Sequence, residues 1–215
     1  MALFRRPDAF DHSDWIFEIK HDGFRGLAYV EEGRSRLLSR RGNPYRSFGE
    51  LSAWIGRHLQ VENAVIDGEI ACLDAEGRSR FSDLLYRRAD PYFFAFDLLW
   101  LNGQDLRDLP LTERKRKLRD IVPGSPARML FSDHIDTRGR QLFDFAGEHD
   151  LEGIVAKWKL GSYLPNSSAT TWIKIKNPNY TQAEGRGEQF EKRGHGPRQM
   201  VQRIRLLEPE LLGVE

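Results

Sequence analysis

The sequence has little cysteine, no long apolar run and almost no net charge. Its single cysteine, Cys72, excludes an internal disulfide framework and indicates a reducing compartment. No apolar stretch approaches the length of a transmembrane helix. The basic N-terminus is not followed by the apolar segment of a secretory signal. We therefore expect a cytoplasmic protein with no membrane partner, and we expect Cys72 to be a small buried side chain.

The charged residues almost cancel, with 33 basic against 32 acidic side chains and a net charge of +1. This balance excludes a strongly basic nucleic-acid-binding surface averaged over the whole protein, although it permits local patches. The length of 215 residues and the 40% hydrophobic content are typical of one sizeable folded domain. Composition alone does not indicate a substrate.

Alternating apolar and polar residues predict several strands, and apolar residues at helical spacing predict three helices. The predicted strands cover residues 15–20, 26–30, 35–40, 64–73, 92–101, 153–158 and 172–176. The first helix follows a capping-box pattern formed by Ser47 and Glu50. The second covers residues 111–122 and is predicted to begin at Thr112, and the third covers residues 141–149.

The second predicted helix contains a basic run, residues 114–117. Such a run forms a solvated helix face more often than a phosphate contact, and both interpretations stay open. From residue 180 onward the composition becomes polar and rich in glycine. We therefore expect a folded domain at residues 1–178 and a polar tail at residues 179–215, with a possible short helix near its end.

The segment with the clearest chemical potential is Glu18–Arg25, in which Lys20 ends a strand before a turn containing glycine. A lysine amine is a nucleophile only when neutral. At a reference pKa near 10.4, removing the proton from a lysine at pH 7 costs roughly 4–5 kcal/mol. Burial and neighbouring cations reduce that cost. Taken alone, the pattern K-x-D-G is short enough to occur by chance, and Lys20 could equally be a surface lysine on a hairpin.

Five further segments follow in order and carry a resemblance. Together with K-H-D-G-F-R at residues 20–25, they resemble the motifs of the nucleotidyltransferase superfamily, which contains ATP-dependent DNA ligases, RNA ligases and mRNA capping enzymes. The combination is most similar to bacterial DNA ligases of the end-joining type. The segments are L-S-R-R-G at 38–42, D-G-E at 67–69, F-A-F-D-L-L at 94–99, E-G-I-V-A-K at 152–157 and W-I-K-I-K at 172–176.

The resemblance implies an α+β fold, the ATP-grasp-like nucleotidyltransferase fold, with antiparallel sheets flanked by helices around an ATP cleft. It implies that Lys20 attacks the α-phosphate of ATP and becomes covalently adenylated. Glu18 and the backbone of Ile19 would contact adenine, and the Glu18 carboxylate would favour ATP over GTP because guanine offers an acceptor in place of the amine. Phe96 would stack on the purine; otherwise it is a core residue of an aromatic strand.

The remaining implied roles concern sugar, phosphate and metal. Arg25 and Arg40 would bind ribose and phosphate oxygens. Lys174 and Lys176, two residues apart on one strand face, would share the α-phosphate. Glu69 would contact the nucleotide and, with Glu152, bind Mg²⁺ or Mn²⁺; a salt bridge to a nearby arginine is the structural alternative for this acidic pair.

Three residues are left without an implied chemical role. Asp67 and Asp97 are unassigned, and either could only order a turn. His21 is interpreted as a bystander.

The sequence also departs from full-length ligases of this kind. After Lys176 there is too little chain for the oligonucleotide-binding (OB) barrel that normally follows. We therefore expect an adenylation core that acts on nicked or broken duplex DNA, with a separate OB-containing or end-binding repair protein as a possible partner. The adenylation core itself would associate with the bacterial nucleoid when bound to DNA. A partner-dependent or inactive nucleotide- or DNA-end-binding module, and an RNA ligase or capping-type enzyme, are the alternatives.

Overall fold

The fold is built from two mostly antiparallel sheets, as a computed structural model shows; it describes residues 1–165 and 170–183. One sheet has five strands in the order β1-β11-β10-β2-β9, and the other has the order β4-β3-β5-β6-β7 with β8 paired to β6. The strands are β1 (Phe4–Arg5), β2 (His12–Ile19), β3 (Phe24–Glu31), β4 (Arg34–Ser39), β5 (Asn63–Ala71), β6 (Tyr92–Leu101), β7 (Gln104–Asp105), β8 (Met129–Phe131), β9 (His134–Thr137), β10 (Gly153–Trp158) and β11 (Trp172–Lys176). All seven predicted strands are present.

Helices cover the outer faces of the sheets. They are α1 (Gly49–His58), α2 (Phe81–Tyr86), α3 (Leu111–Ile121) and α4 (Gly139–Glu148), and short 3₁₀ turns occur at Arg46–Phe48 and Thr181–Ala183. Two predicted helix starts are wrong. Ser47 lies inside the 3₁₀ turn, and α1 begins after Phe48 without a side-chain cap. The residue that precedes α3 is Pro110 rather than Thr112, which agrees with the fixed backbone angle of proline.

Three apolar clusters define the layers. The largest packs α1 and α3 against one face of the six-stranded sheet, and it includes Cys72, which is buried as predicted. The second packs α4 against one face of the five-stranded sheet around Phe17 and Ile154. The third contains Leu99 of β6 and Trp172 of β11 and therefore lies between the two sheets. The inner faces of the sheets thus form a cleft.

The compact unit that contains both sheets extends from Met1 to Gln182. Tyr180 was predicted to begin the polar tail, but it is buried and its hydroxyl donates to Asp22 Oδ2 at 2.8 Å. The rest of the predicted tail, including its possible helix, lies outside the described residues. No helix in the part of the chain that the structure describes is long and apolar enough to cross a membrane.

Candidate functional site

Strand register decides which side chains of the five-stranded sheet face the cleft. Val155 of β10 pairs with Glu18 of β2 on one side and with Lys174 of β11 on the other. Directly paired residues of neighbouring strands point to the same face of a sheet. Val155 and Glu18 line the cleft, so Lys174 lies on the cleft face as well. Lys176, two residues further along β11, follows on that face.

Lys20 comes directly after β2, at the place where the backbone of β2 meets the start of β10. Its amide donates to the carbonyl of Gly153 at 2.9 Å. Its ammonium donates to Glu152 Oε2 at 2.5 Å, and Lys176 Nζ lies 3.1 Å from Glu152 Oε1. Two lysines from opposite ends of the sequence therefore share one buried carboxylate.

Glu18 is buried on the cleft face and is surrounded by two lysines. Lys157 Nζ donates to its Oε2 at 2.7 Å, and Lys115 Nζ of α3 lies 2.8 Å from its Oε1. Burial alone would raise the pKa of Glu18, but the two ammonium charges outweigh burial and the pKa is lowered. Burial lowers the pKa of Lys157 to about 8, although Glu18 opposes this shift. Glu18 is thus held as a carboxylate.

Aromatic rings form the other side of this part of the cleft. Phe96 of β6 and Trp172 of β11 meet edge to face at a centroid distance of 5.7 Å. Lys157 Nζ lies 4.4 Å from the Phe96 ring centroid and 4.3 Å from that of Trp172. Phe96 is only partly buried and lines the cleft together with Ile19 and Glu18. The Phe96 ring therefore presents an apolar surface to this part of the cleft.

Arg25 of β3 enters the cleft from the six-stranded sheet. Asp67 binds its guanidinium at two points, Nε to Oδ1 at 3.0 Å and Nη2 to Oδ2 at 2.6 Å. Tyr163 donates from its hydroxyl to Asp67 Oδ2 at 2.8 Å. Burial would lower the pKa of Arg25, but the Asp67 charge outweighs it and the pKa is raised. Asp67 therefore does not order a turn; it orients Arg25.

Glu69 lies two residues after Asp67 and also lines the cleft. Burial raises its pKa to about 8; Lys20 and Arg25 oppose this shift, and the charge of Glu152 adds to it. The arginine salt bridge that was the structural alternative is not formed, because Arg25 pairs with Asp67 instead. Within the described ranges Glu69 takes part in no ion pair.

The fold brings residues from five of the six family-like segments together in the lining of one cleft. The model of the ATP dependent DNA ligase domain matches residues 6–176, which is most of the chain. The chain belongs to this ATP-dependent DNA ligase family. The resemblance predicted from the sequence is thereby confirmed.

Curated relatives of this ligase domain are multifunctional proteins. The chain is 32% identical over 169 residues to the multifunctional non-homologous end joining protein LigD of Pseudomonas aeruginosa, covering 76% of this chain and 20% of that protein. It is 32% identical over 197 residues to the bifunctional non-homologous end joining protein LigD of Bacillus subtilis, covering 77% of this chain and 32% of that one. The chain thus spans about a fifth to a third of these relatives.

Solved ligase structures share the fold. The ligase domain of M. tuberculosis LigD superposes with a TM-score of 0.67 at 28% identity, covering 81% of this chain and 58% of that one. A mycobacterial DNA ligase D complexed with ATP and MES superposes with a TM-score of 0.66 at 27% identity. The match covers 81% of this chain and 60% of that one. The predicted α+β nucleotidyltransferase fold is confirmed.

Two of the residues predicted for the ligase site stand apart from the cluster around Lys20. Arg40 follows β4 and is exposed, and Lys174 is partly buried on the cleft face. Neither makes an ion pair with any described residue. Each thus keeps its cationic group available for an anion. The other predicted residues line the cleft or pair with a residue that lines it.

Sequence reasoning missed two buried cations of α3. Arg114 and Lys115 belong to the basic run that was interpreted more readily as a solvated face, yet they are 0% and 2% exposed. Arg114 binds both oxygens of Asp97, at 2.7 and 2.8 Å, so Asp97 does not order a turn either. A signal was present, because residues 114 and 115 follow Leu111 at helical spacing and precede Leu118 on the same face.

His21 was interpreted as a bystander, but it also lines the cleft. Its ring stacks on Phe94 at a centroid distance of 3.8 Å. Burial lowers its pKa to about 4, so His21 is neutral near pH 7.

Proposed function

We propose that this chain is the adenylation core of an ATP-dependent DNA ligase and that Lys20 carries the adenylate. The Lys20 amine attacks the α-phosphorus of ATP, a nitrogen–phosphorus bond forms, and the bond to the leaving pyrophosphate breaks. The AMP then passes to the 5′-phosphate of a DNA strand. Attack by the neighbouring 3′-hydroxyl closes the strand and releases AMP.

The observation that carries this proposal is the position of Lys20 between a cleft lined by an aromatic ring and the carboxylate of Glu152. Lys20 lines the same cleft as Glu18 and Phe96, and its Nζ lies 2.5 Å from Glu152 Oε2. The amine must lose a proton before it attacks, and a general base must lie within hydrogen-bonding distance of that proton. Glu152 is so placed, and Lys176 on its other oxygen stabilises the carboxylate.

The cleft offers a partner for each part of ATP. Phe96 provides a ring face for the purine, and the ionised Glu18 provides an acceptor for its exocyclic amine. We assign ribose and phosphate oxygens to Arg25, which Asp67 already orients in the lining of the cleft. Arg40 and Lys174 supply further positive charge. We assign the α-phosphate to Lys174 and Lys176, because two ammonium groups on one strand face repel unless they share an anion.

Glu69 and Glu152 fit a divalent cation. Their carboxylates are close enough for the charge of Glu152 to raise the pKa of Glu69, and a cation would offset the burial of Glu69. The described residues contain no cluster of three or more acidic, histidine or cysteine side chains that could hold a metal ion. Mg²⁺ is commonly held by one or two carboxylates together with substrate phosphates. When bound, Mg²⁺ or Mn²⁺ would neutralise phosphate charge.

Covalent labelling tests the first step. The protein is incubated with α-labelled ATP and magnesium and then separated by denaturing electrophoresis. We expect label on the native sequence and none on Lys20→Ala. Lys159→Ala is the matched control, because Lys159 pairs with Asp136 and does not line the cleft. No label on the native protein would refute autonomous self-adenylation and favour a binding module. Label from GTP alone would indicate a capping-type enzyme.

Strand sealing tests the later steps. A duplex with a single nick and a 5′-phosphate should be closed in the presence of ATP, and Lys20→Ala should leave it open. Addition of a separate OB-containing protein should increase the rate if the chain depends on such a partner. If the protein forms lysyl-AMP but transfers no AMP to nicked or broken DNA, with or without the OB-containing protein, its function is restricted to the first step.

A further inference from the structure

Glu18 is held by a residue that the proposed mechanism does not use, Lys115 of α3. The Lys115 ammonium lies 2.8 Å from Glu18 Oε1 and donates to the carbonyl of Ser132 at 2.9 Å. The Ser132 hydroxyl in turn donates to Glu18 Oε2 at 3.2 Å. Lys115 also lies 4.4 Å from the centroid of the Phe131 ring. These contacts fix the ammonium in one position beside the carboxylate.

Both oxygens of the Glu18 carboxylate contact cations. Oε2 accepts from Lys157 and from Ser132. Oε1 is buried beside the Lys115 ammonium. A carboxylate has about four acceptor positions in all, and the described residues do not fill them. Glu18 therefore combines a stabilising charge at each oxygen with remaining acceptor capacity, and it lines the cleft.

We propose that Lys115 is a positioning residue that sets the purine selectivity of the cleft by holding the Glu18 carboxylate ready to accept a hydrogen bond from the exocyclic amine of adenine. The inference rests on the proposed function. Lys115 acts through Glu18, since it is absent from the lining of the cleft and contacts the carboxylate of Glu18, which does line it. Guanine presents a carbonyl oxygen at that position and is disfavoured. A purine without the exocyclic amine neither donates a hydrogen bond to Glu18 nor places a carbonyl oxygen against it.

A purely structural role for Lys115 makes a different prediction. If Lys115 only stabilises α3, its replacement lowers the activity with every nucleotide to the same extent. If it orients Glu18, its replacement weakens the use of ATP but not of purine riboside triphosphate, which lacks the exocyclic amine. The ratio of kcat/KM for the two nucleotides separates these roles, because the fraction of folded protein cancels from it.

The experiment measures lysyl-nucleotide formation by intact mass with each nucleotide and magnesium. Lys115→Met is compared with Arg116→Met, a control from the same basic run whose side chain is 68% exposed and pairs with Asp120. We expect Lys115→Met to lower the selectivity for ATP over purine riboside triphosphate by about tenfold or more, since a hydrogen bond to a charged group has that effect. The loss should appear in KM rather than kcat. Arg116→Met should keep the native ratio.

Ser132→Ala provides a second variant in case Lys115→Met does not fold. It removes the hydroxyl that donates to Glu18 Oε2 while keeping the carbonyl that holds Lys115. We expect a smaller fall in the same ratio. Equal losses with both nucleotides, or an unchanged ratio, would overturn the role of Lys115 while the native protein still forms its adduct. Absence of any adduct on the native protein would overturn the proposed function together with this inference.

Discussion

At the scale of single residues, three cations of the cleft are paired with carboxylates from other segments of the chain. Lys20 meets Glu152, Arg25 meets Asp67, and Lys157 meets Glu18. Burying one member alone would be costly, because an uncompensated charge in the interior loses its hydration. Each pair therefore offsets part of the cost of burying its two groups and restricts the rotamers of both side chains before a ligand arrives.

Tyr163 offers a test of this arrangement that leaves every charge in place. Its hydroxyl donates to Asp67 Oδ2 from a side chain that is 6% exposed. Tyr163→Phe removes the donor and leaves a buried acceptor less well satisfied, so we expect the free energy of unfolding to fall by about 1–3 kcal/mol. Chemical denaturation measures the change. Tyr86→Phe, at a residue 42% exposed, should change stability by less than about 0.5 kcal/mol. Equal effects of the two variants would contradict the prediction.

His21 provides a prediction about pH. Burial lowers its pKa from 6.5 to about 4; Glu18 opposes the shift, and Lys20 and Lys157 add to it. Between these values the unfolded chain binds a proton that the folded chain does not, so His21 favours unfolding increasingly as the pH falls from 6.5 towards 4. Above pH 6.5 His21 is neutral in both the folded and the unfolded chain, and its titration does not reduce stability.

The variant His21→Phe keeps an aromatic ring beside Phe94 and removes this titration. We expect the stability of the native protein to decline more steeply between pH 6.5 and 4 than that of His21→Phe. Denaturation midpoints measured across that range provide the comparison. Parallel pH profiles would show that His21 does not titrate as proposed.

Much of the candidate site could be predicted because its residues stand in short segments with characteristic order. Glu18, Lys20 and Arg25 are of this kind. Lys115 could not be recognised in the same way, because its importance comes from Ser132 and Glu18, which are distant in sequence. Helical spacing indicated that Lys115 faces inward, but only the tertiary structure shows which carboxylate it meets.

At the scale of elements, strands were predicted more accurately than helix ends. The predicted bounds of β6, β10 and β11 agree with the structure because apolar residues fill both faces or alternate, and turn-forming residues follow. The start of α1 was wrong because Ser47 and Glu50 match the capping-box spacing, whereas packing of Phe48 into the core forms a 3₁₀ turn there. Local spacing cannot include that tertiary contact.

Two glycines of α1 predict opposite effects of alanine. A Cβ on Gly56 would lie 2.7 Å from backbone atoms of Gly33 and Arg34, because α1 packs closely on the turn before β4. Gly56→Ala should destabilise the protein by about 1–3 kcal/mol or more, since the backbone must shift. Gly49, at the start of the same helix, has no atom within 4 Å of such a Cβ. Gly49→Ala should be neutral or stabilising by up to about 1 kcal/mol.

Thermal denaturation of the two variants checks this prediction, and each serves as the control of the other. A Gly56→Ala protein as stable as the native one would show that α1 does not approach the β3–β4 turn as closely as described. A strongly destabilised Gly49→Ala protein would show that the first turn of α1 has a steric constraint that its surroundings do not reveal.

At the scale of the whole molecule, the family segments are dispersed along the chain because each supplies a side chain to one of two facing sheets. Glu18, Lys157 and Lys176 come from the five-stranded sheet, whereas Arg25 and Phe96 come from the six-stranded sheet. An apolar cluster that includes Leu99 and Trp172 joins the inner faces. The site therefore depends on the docking of the two sheets, and changes at that contact should affect nucleotide binding as well as stability.

The extent of the folded domain gives the last prediction. Sequence composition placed its end at residue 178, but Tyr180 is 5% exposed and donates to Asp22, which lies in the same segment as Lys20. Thr181 adds bonds from its amide and its hydroxyl to Asp150, at 2.9 and 2.6 Å. Residues 179–182 thus join the end of β11 to the turn after β2.

We therefore expect a chain ending at Pro178 to be less stable than a chain ending at Gln182. The loss should be about 2 kcal/mol or more, because an aromatic ring returns to water and its hydrogen bond is broken. Denaturant titration of the two chains measures the difference, and Tyr180→Phe in the longer chain separates the hydrogen bond from the packing of the ring. Since Asp22 is two residues from Lys20, lysyl-AMP formation should fall in the shorter chain too. Two chains of equal stability and equal labelling would place the functional end of the domain at residue 178.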